Sequence, residues 1–156
     1  MSVSIKRTTI SLIKIVSILS FGYFFWLMLR LTLEYIPAKS DVSFLMIKQT
    51  EVSSQPEYLS FFYIHVYSTI FVLLTGFLAI TRKNFGIKKL HQYSGKIYVF
   101  AILLLAAPSG IYMGFFANGG SLSKISFILL GIFWWYSTFR AYQAIRQKKF
   151  TAHKQW

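Results

Sequence analysis

The sequence predicts an all-α integral membrane protein, a bundle of four transmembrane helices making one domain over residues 1–156, with both termini cytoplasmic. Three observations carry this. Four stretches are apolar over the about 20 residues that a helix needs to cross the hydrocarbon core. The chain is 55% hydrophobic and 19% aromatic but only 13% charged, against about 25% charged in ordinary soluble domains. Of its 17 basic residues, 13 fall at one end of the predicted spans and 4 at the other.

The first span is expected over about residues 9–31. Lys14 lies near its start, where a long side chain can reach back to the surface. It reads as a retained anchor, because a cleaved leader has a core of only about 7–15 apolar residues. The second span, about 59–81, carries no formal charge. The third, about 97–116, is also uncharged and contains Pro108-Ser109-Gly110. Proline removes a backbone donor and clashes with the preceding turn, so a kink is expected there. The fourth span covers about 125–145, with Arg140 near its end. Lipid offers the backbone no hydrogen bonds, so helices are the expected form, and the runs are too long for barrel strands.

The connections differ in chemistry. The first runs from about Glu34 to Glu57, contains Pro37 and Pro56, and holds all four acids of the chain, Glu34, Asp41, Glu51 and Glu57. Its apolar piece VSFLMI is expected as one buried patch in a solvated loop. The second, RKNFGIKKLHQYSGK, is basic, with Asn84 and Gly86 as turn residues. The third, ANGGSLSK, predicts a tight turn with Ser123 capping the fourth helix. No internal repeat is expected.

Lys6, Arg7 and Lys14, then Arg82, Lys83, Lys88, Lys89 and Lys96, then Arg140, Arg146, Lys148, Lys149 and Lys154 share one side. Arg30, Lys39, Lys48 and Lys124 lie on the other. Positive residues stay cytoplasmic, which sets the orientation. The net charge of +13 therefore reads as membrane orientation with attraction to anionic lipid, and nucleic acid is not an expected partner.

With no cysteine, thiolate metal sites and iron–sulfur clusters are excluded. No acid lies inside a span, so carboxylate relays and di-metal carboxylate sites lack their parts. No phosphate loop, His-Glu-x-x-His or nucleophile elbow is present. Three histidines remain. His65 sits inside the second span, where an ionisable residue is a functional candidate. It can ligate haem or a metal, carry a proton, or bond two helices together. Ser68 and Thr69, three and four residues on, share its face, whereas Tyr63 and Tyr67 point elsewhere. His91 and His153 both fall at the basic end. They can approach if the start of the third span packs beside the end of the fourth, and two facing imidazoles can hold a haem iron axially. Trp134 and Trp135 can line a flat cofactor or pack the core.

His91, Gly95 and Tyr98 spell His-x-x-x-Gly-x-x-Tyr, Pro108-Ser109-Gly110 follows, and the chain closes on His153-Lys154-Gln155-Trp156, with His65 upstream. Over about Tyr63 to Trp156 this order resembles the multi-pass bacterial membrane proteins of the domain of unknown function 2306 family. The resemblance implies the bacterial inner membrane and carries no established activity. Members typically continue into further spans, which implies a shortened member or a fragment here. The histidines at helix ends resemble, by analogy, those of membrane b-type cytochromes.

Two function classes follow. One is a haem b electron carrier using His91 with His153, and His65 with a ligand from elsewhere, since two haems ligated on both faces need four histidines. The other is a non-enzymatic membrane protein that binds, transports or senses a small molecule or lipid.

Overall fold

A computed structural model describes residues 2–81 and 88–156. Among them every regular element is helical, with no strand. Helix α1 spans Ser2–Leu33, a 3-10 turn covers Ser43–Lys48, and α2 covers Gln49–Ser54. Then come α3 (Tyr58–Ile80), α4 (Lys88–Ala101), a π turn (Ile102–Ala106), α5 (Ala107–Gly114), α6 (Gly120–Arg146) and α7 (Phe150–Gln155). Four stretches are long and apolar enough to cross a bilayer: Ser11–Leu33, Tyr58–Ile80, Lys89–Gly114 and Gly120–Arg146.

The third span departs most from expectation. Its helix starts at Lys88, not near Ile97, and takes in most of the stretch read as a basic loop. Hydropathy locates lipid rather than helix, and KKLHQYSGK is too polar to register as a span although nothing in it breaks a helix. The turn expected at Asn84 and Gly86, with Arg82 and Lys83, lies outside the described residues.

The spans sit side by side in chain order. Among the described residues, helix α1 packs chiefly on α3, α3 packs on α4, the π turn and α5, and α6 packs chiefly on those same third-span elements. Phe21 stacks on Phe77 with ring centroids 3.8 Å apart, fixing α1 to α3. Elsewhere α1 exposes Leu12, Ile13, Val16 and Leu19, as a lipid-facing helix should. The α3–α4 contact is tight because Gly76 has no side chain: a Cβ there would lie 2.8 Å from Cε2 of Tyr98. Val72, Ala101, Ile102, Ala106 and Ala107 form the buried core between α3 and the third span.

Pro108 produces a π turn. The amide of Ala107 reaches back five residues, to the carbonyl of Ile102. In a regular helix it would have served Leu103. The other donor in reach of Leu103 is residue 108, which as proline has no N–H. The Leu103 carbonyl is therefore orphaned, and the indole Nε1–H of Trp135 on α6 donates to it at 3.1 Å. One turn on, the Ser109 hydroxyl donates to the carbonyl of Leu105. The Trp135 side chain thus satisfies the carbonyl that the proline frees, as a lipid environment demands. Trp135 holds the third and fourth spans together at the bulge, and Trp134 packs against the buried core.

The first connection is more ordered than a solvated loop with one patch. Leu45 is fully buried against Tyr35, Tyr58 and Phe62, while the neighbouring Met46 and Ile47 are exposed. The Tyr63 hydroxyl donates to the carbonyl of Lys39 at 2.6 Å and accepts from its amide at 2.7 Å. Tyr67 donates to the carbonyl of Tyr35 at 2.7 Å. Lys48 is buried, and its ammonium donates to Glu51 Oε1 at 2.7 Å, to Asn118 Oδ1 at 2.7 Å and to the carbonyl of Phe116. One lysine thus ties this connection to the turn between α5 and α6. That turn bends at Gly119 (φ +97°) and Gly120 (φ +80°), both in the left-handed region. The expected cap is corrected: α6 begins at Gly120 with Gly119 as its N-cap, and Ser123 falls inside the first turns.

Candidate functional site

All three histidines are built the same way: each presents its Nδ1 to the backbone carbonyl of an alanine. His65 Nδ1 lies 3.0 Å from the oxygen of Ala106, His91 Nδ1 2.9 Å from that of Ala79, and His153 Nδ1 2.9 Å from that of Ala141. A carbonyl only accepts, so the proton belongs on Nδ1 in each ring. In a neutral imidazole this fixes the tautomer, with the lone pair on Nε2.

His65 sits on α3 facing the π turn. Ser68 and Thr69 do not bond its ring, contrary to expectation; their hydroxyls turn back onto the carbonyls of His65 and Val66 in their own helix. The partners come from the third span instead: the Ala106 carbonyl and, at 3.4 Å, the Ser109 hydroxyl. Gly110 makes this possible, since a Cβ there would lie 2.9 Å from Cε1 of His65. Tyr63 and Tyr67 point away, as read from their spacing, into the first connection. On the same side of α3 an open apolar cleft of about 330 Å³ is lined by Tyr63, Ile64, Tyr67, Ser68, Phe71 and Leu105.

His91 and His153 come together. His91 is in the first turn of α4 and His153 in α7, which folds back along α6 after the turn at Lys148 (φ 57°). Their ring centroids are 6.2 Å apart, with the ring planes inclined at 69°. Ala79 lies in the last turn of α3, where carbonyls lack helical donors, so His91 also caps that helix. The two anchors have one spacing: Phe77-x-Ala79 followed by His91, and Phe139-x-Ala141 followed by His153, twelve residues from alanine to histidine each time. This local repeat was legible as Phe-x-Ala-x11-His, but it spans different helices and escapes a search for periodic blocks.

Around His153 the surface is basic and aromatic. The Arg140 guanidinium lies over the Trp156 ring at 5.0 Å and over Tyr136 at 5.7 Å, and it donates to the Tyr136 hydroxyl at 2.8 Å. No carboxylate pairs with Arg140 among the described residues. Likewise no cluster of three or more His, Asp or Glu stands ready for a metal ion among them. Any metal at this end would rest on the imidazole pair.

Residues 62–156, well over half of the chain, match the family model described as "Predicted membrane protein (DUF2306)". No curated protein and no solved structure matches the chain.

Proposed function

We propose, for a chain that belongs to the DUF2306 family of predicted membrane proteins, that His91 and His153 together hold a haem iron and that the protein carries electrons in the membrane. The observation that carries this reading is the pair of carbonyl-anchored imidazoles with centroids 6.2 Å apart. Metal-bound histidines almost always donate their other ring N–H to a carbonyl or carboxylate, which fixes tautomer and orientation. With Nδ1 engaged by the carbonyls of Ala79 and Ala141, the Nε2 atoms of His91 and His153 are the ones that would hold the iron.

Held by His91 and His153, a haem would supply one-electron oxidation and reduction. The chain's own residues do the rest. The carbonyls of Ala79 and Ala141 hold both rings in the ligating tautomer. Lysines near the pair, Lys89 and Lys154 in sequence, favour the carboxylates that a haem carries. His65 stands apart as a hydrogen bond between α3 and the third span, consistent with one ligated centre and not two.

The test is the absorption spectrum of the full chain purified after expression with haem supplied. A Soret band with the sharp reduced bands of six-coordinate low-spin iron is expected. A protein that folds and lacks any Soret band overturns the reading.

The side on which this site lies follows from charge: 13 of the 17 basic residues share it, which supports cytoplasmic termini and a bacterial inner-membrane location. The chain has no cysteine, so a single cysteine added at either end can be labelled alone. Both ends are expected to resist an impermeant maleimide until the membrane is opened; labelling of either end in intact cells refutes the orientation.

A further inference from the structure

We infer that the cleft between the end of α6 and α7 is a phosphate-binding site that seats the headgroup of an anionic phospholipid. The inference does not depend on a metal being held by the neighbouring histidines. The cleft has a volume of about 200 Å³ and is lined by Arg140, Gln143, Ala144, Gln147, Lys149, Ala152 and Trp156. Its polar side chains are two cations and two amides that can donate, with no acidic side chain among them. Every acid of the chain lies in the first connection, residues 34–57, separated from this cleft by the length of a span.

Arg140 is held in advance of any ligand. Its guanidinium lies over two rings, Trp156 at 5.0 Å and Tyr136 at 5.7 Å, and bonds the Tyr136 hydroxyl at 2.8 Å. An arginine fixed this way has already given up much of its side-chain freedom, so less is lost when it binds an anion, and its planar fork suits phosphate oxygens. Lys149 adds a second positive charge from the turn after α6. The level is right for a lipid. Arg140 lies in the final turns of a span that ends at Arg146, where headgroups meet the helix ends. The Trp156 ring, amphipathic and half-exposed, belongs at the same boundary. Charges at such positions attract anionic lipid by about 1 kcal/mol each, about fivefold in affinity per residue.

The experiment is native mass spectrometry of the full chain released from detergent with equimolar phosphatidylglycerol and phosphatidylcholine. A parallel thermal melt is run with and without about 10 mM inorganic phosphate. The variants are Arg140→Gln with Lys149→Gln, and Arg140→Lys alone. Retention of phosphatidylglycerol over phosphatidylcholine, lost by about thirtyfold in the double variant and only partly in Arg140→Lys, supports the headgroup site. Stabilisation by inorganic phosphate without lipid preference, again absent from the double variant, supports the same site with a soluble source. No preference and no stabilisation, or an effect that the folded double variant keeps in full, overturns it.

Discussion

On the proposed reading, substituting His153 with alanine is expected to lower haem affinity by up to roughly a hundredfold and to convert a six-coordinate spectrum to a five-coordinate one. The same holds for His91→Ala, because the two ring centroids lie only 6.2 Å apart and neither has a substitute among the described histidines. Each variant also loses a hydrogen bond to a helix carbonyl, from Ala141 or Ala79. That loss alone is worth about 1 kcal/mol and would not unfold the chain. Added imidazole distinguishes the causes. It can enter the space left by the alanine and restore the sixth ligand, whereas it cannot repair a misfolded helix end. His65→Phe is the control. It removes the bond to Ala106 and presses a larger ring against Gly110, so stability should fall while the spectrum stays unchanged. Equal loss of haem in His65→Phe and His153→Ala would count against the pair as the ligands.

Much of this arrangement is visible in the sequence, and the parts that are not have identifiable reasons. The four spans follow from hydropathy because lipid selects directly for apolar length. The span ends do not, because helices run on into the interface: α4 begins at Lys88 among charges that a hydropathy reading assigns to a loop. Pro108 signals an interruption, but only the structure shows that it becomes a π turn closed by Trp135 from the next span. The order of packing is equally hidden. Nothing in α1 or α6 says that they lie at opposite sides of the row, since both carry apolar residues all round. The approach of His91 to His153 follows from their common side. Their shared anchoring does not, because a carbonyl acceptor leaves no mark in the side-chain sequence. His65 marks the limit of local reasoning: Ser68 and Thr69 are near in sequence, yet in an apolar medium their hydroxyls satisfy themselves on their own helix. The ring then turns to the carbonyl beside the π turn.

Lys48→Met is the second large effect, and it concerns the other end of the molecule. Lys48 is 1% exposed, and its ammonium holds three oxygens, from Glu51, Asn118 and Phe116. Methionine fills similar volume, so the change isolates the charge and its bonds. Removing one partner of a buried ion pair typically costs about 3–5 kcal/mol, because the other is left uncompensated. The lower end applies, since the Glu51 side chain is 24% exposed and water can take over part of its bonding. A fall of about 6–10 °C in the melting temperature is expected for a chain of this size. Proteolysis within the Glu34–Glu57 connection should be faster. The pH dependence gives an independent reading. The hydrogen bond from Lys48 holds the Glu51 carboxyl below the ordinary carboxylate value. A depressed carboxylate contributes stability that is present above its unfolded value of about 4.3 and is lost as pH falls through the lower folded value. The native protein should therefore lose stability between about pH 4.5 and its acid limit, and Lys48→Met should lose less over that window. Glu51→Gln in the Lys48→Met background should recover part of the deficit, since it removes the orphaned charge. A Lys48→Met protein that melts within about 1 °C of the native one, with the same acid slope, would mean that Leu45 and its aromatic neighbours hold this connection unaided.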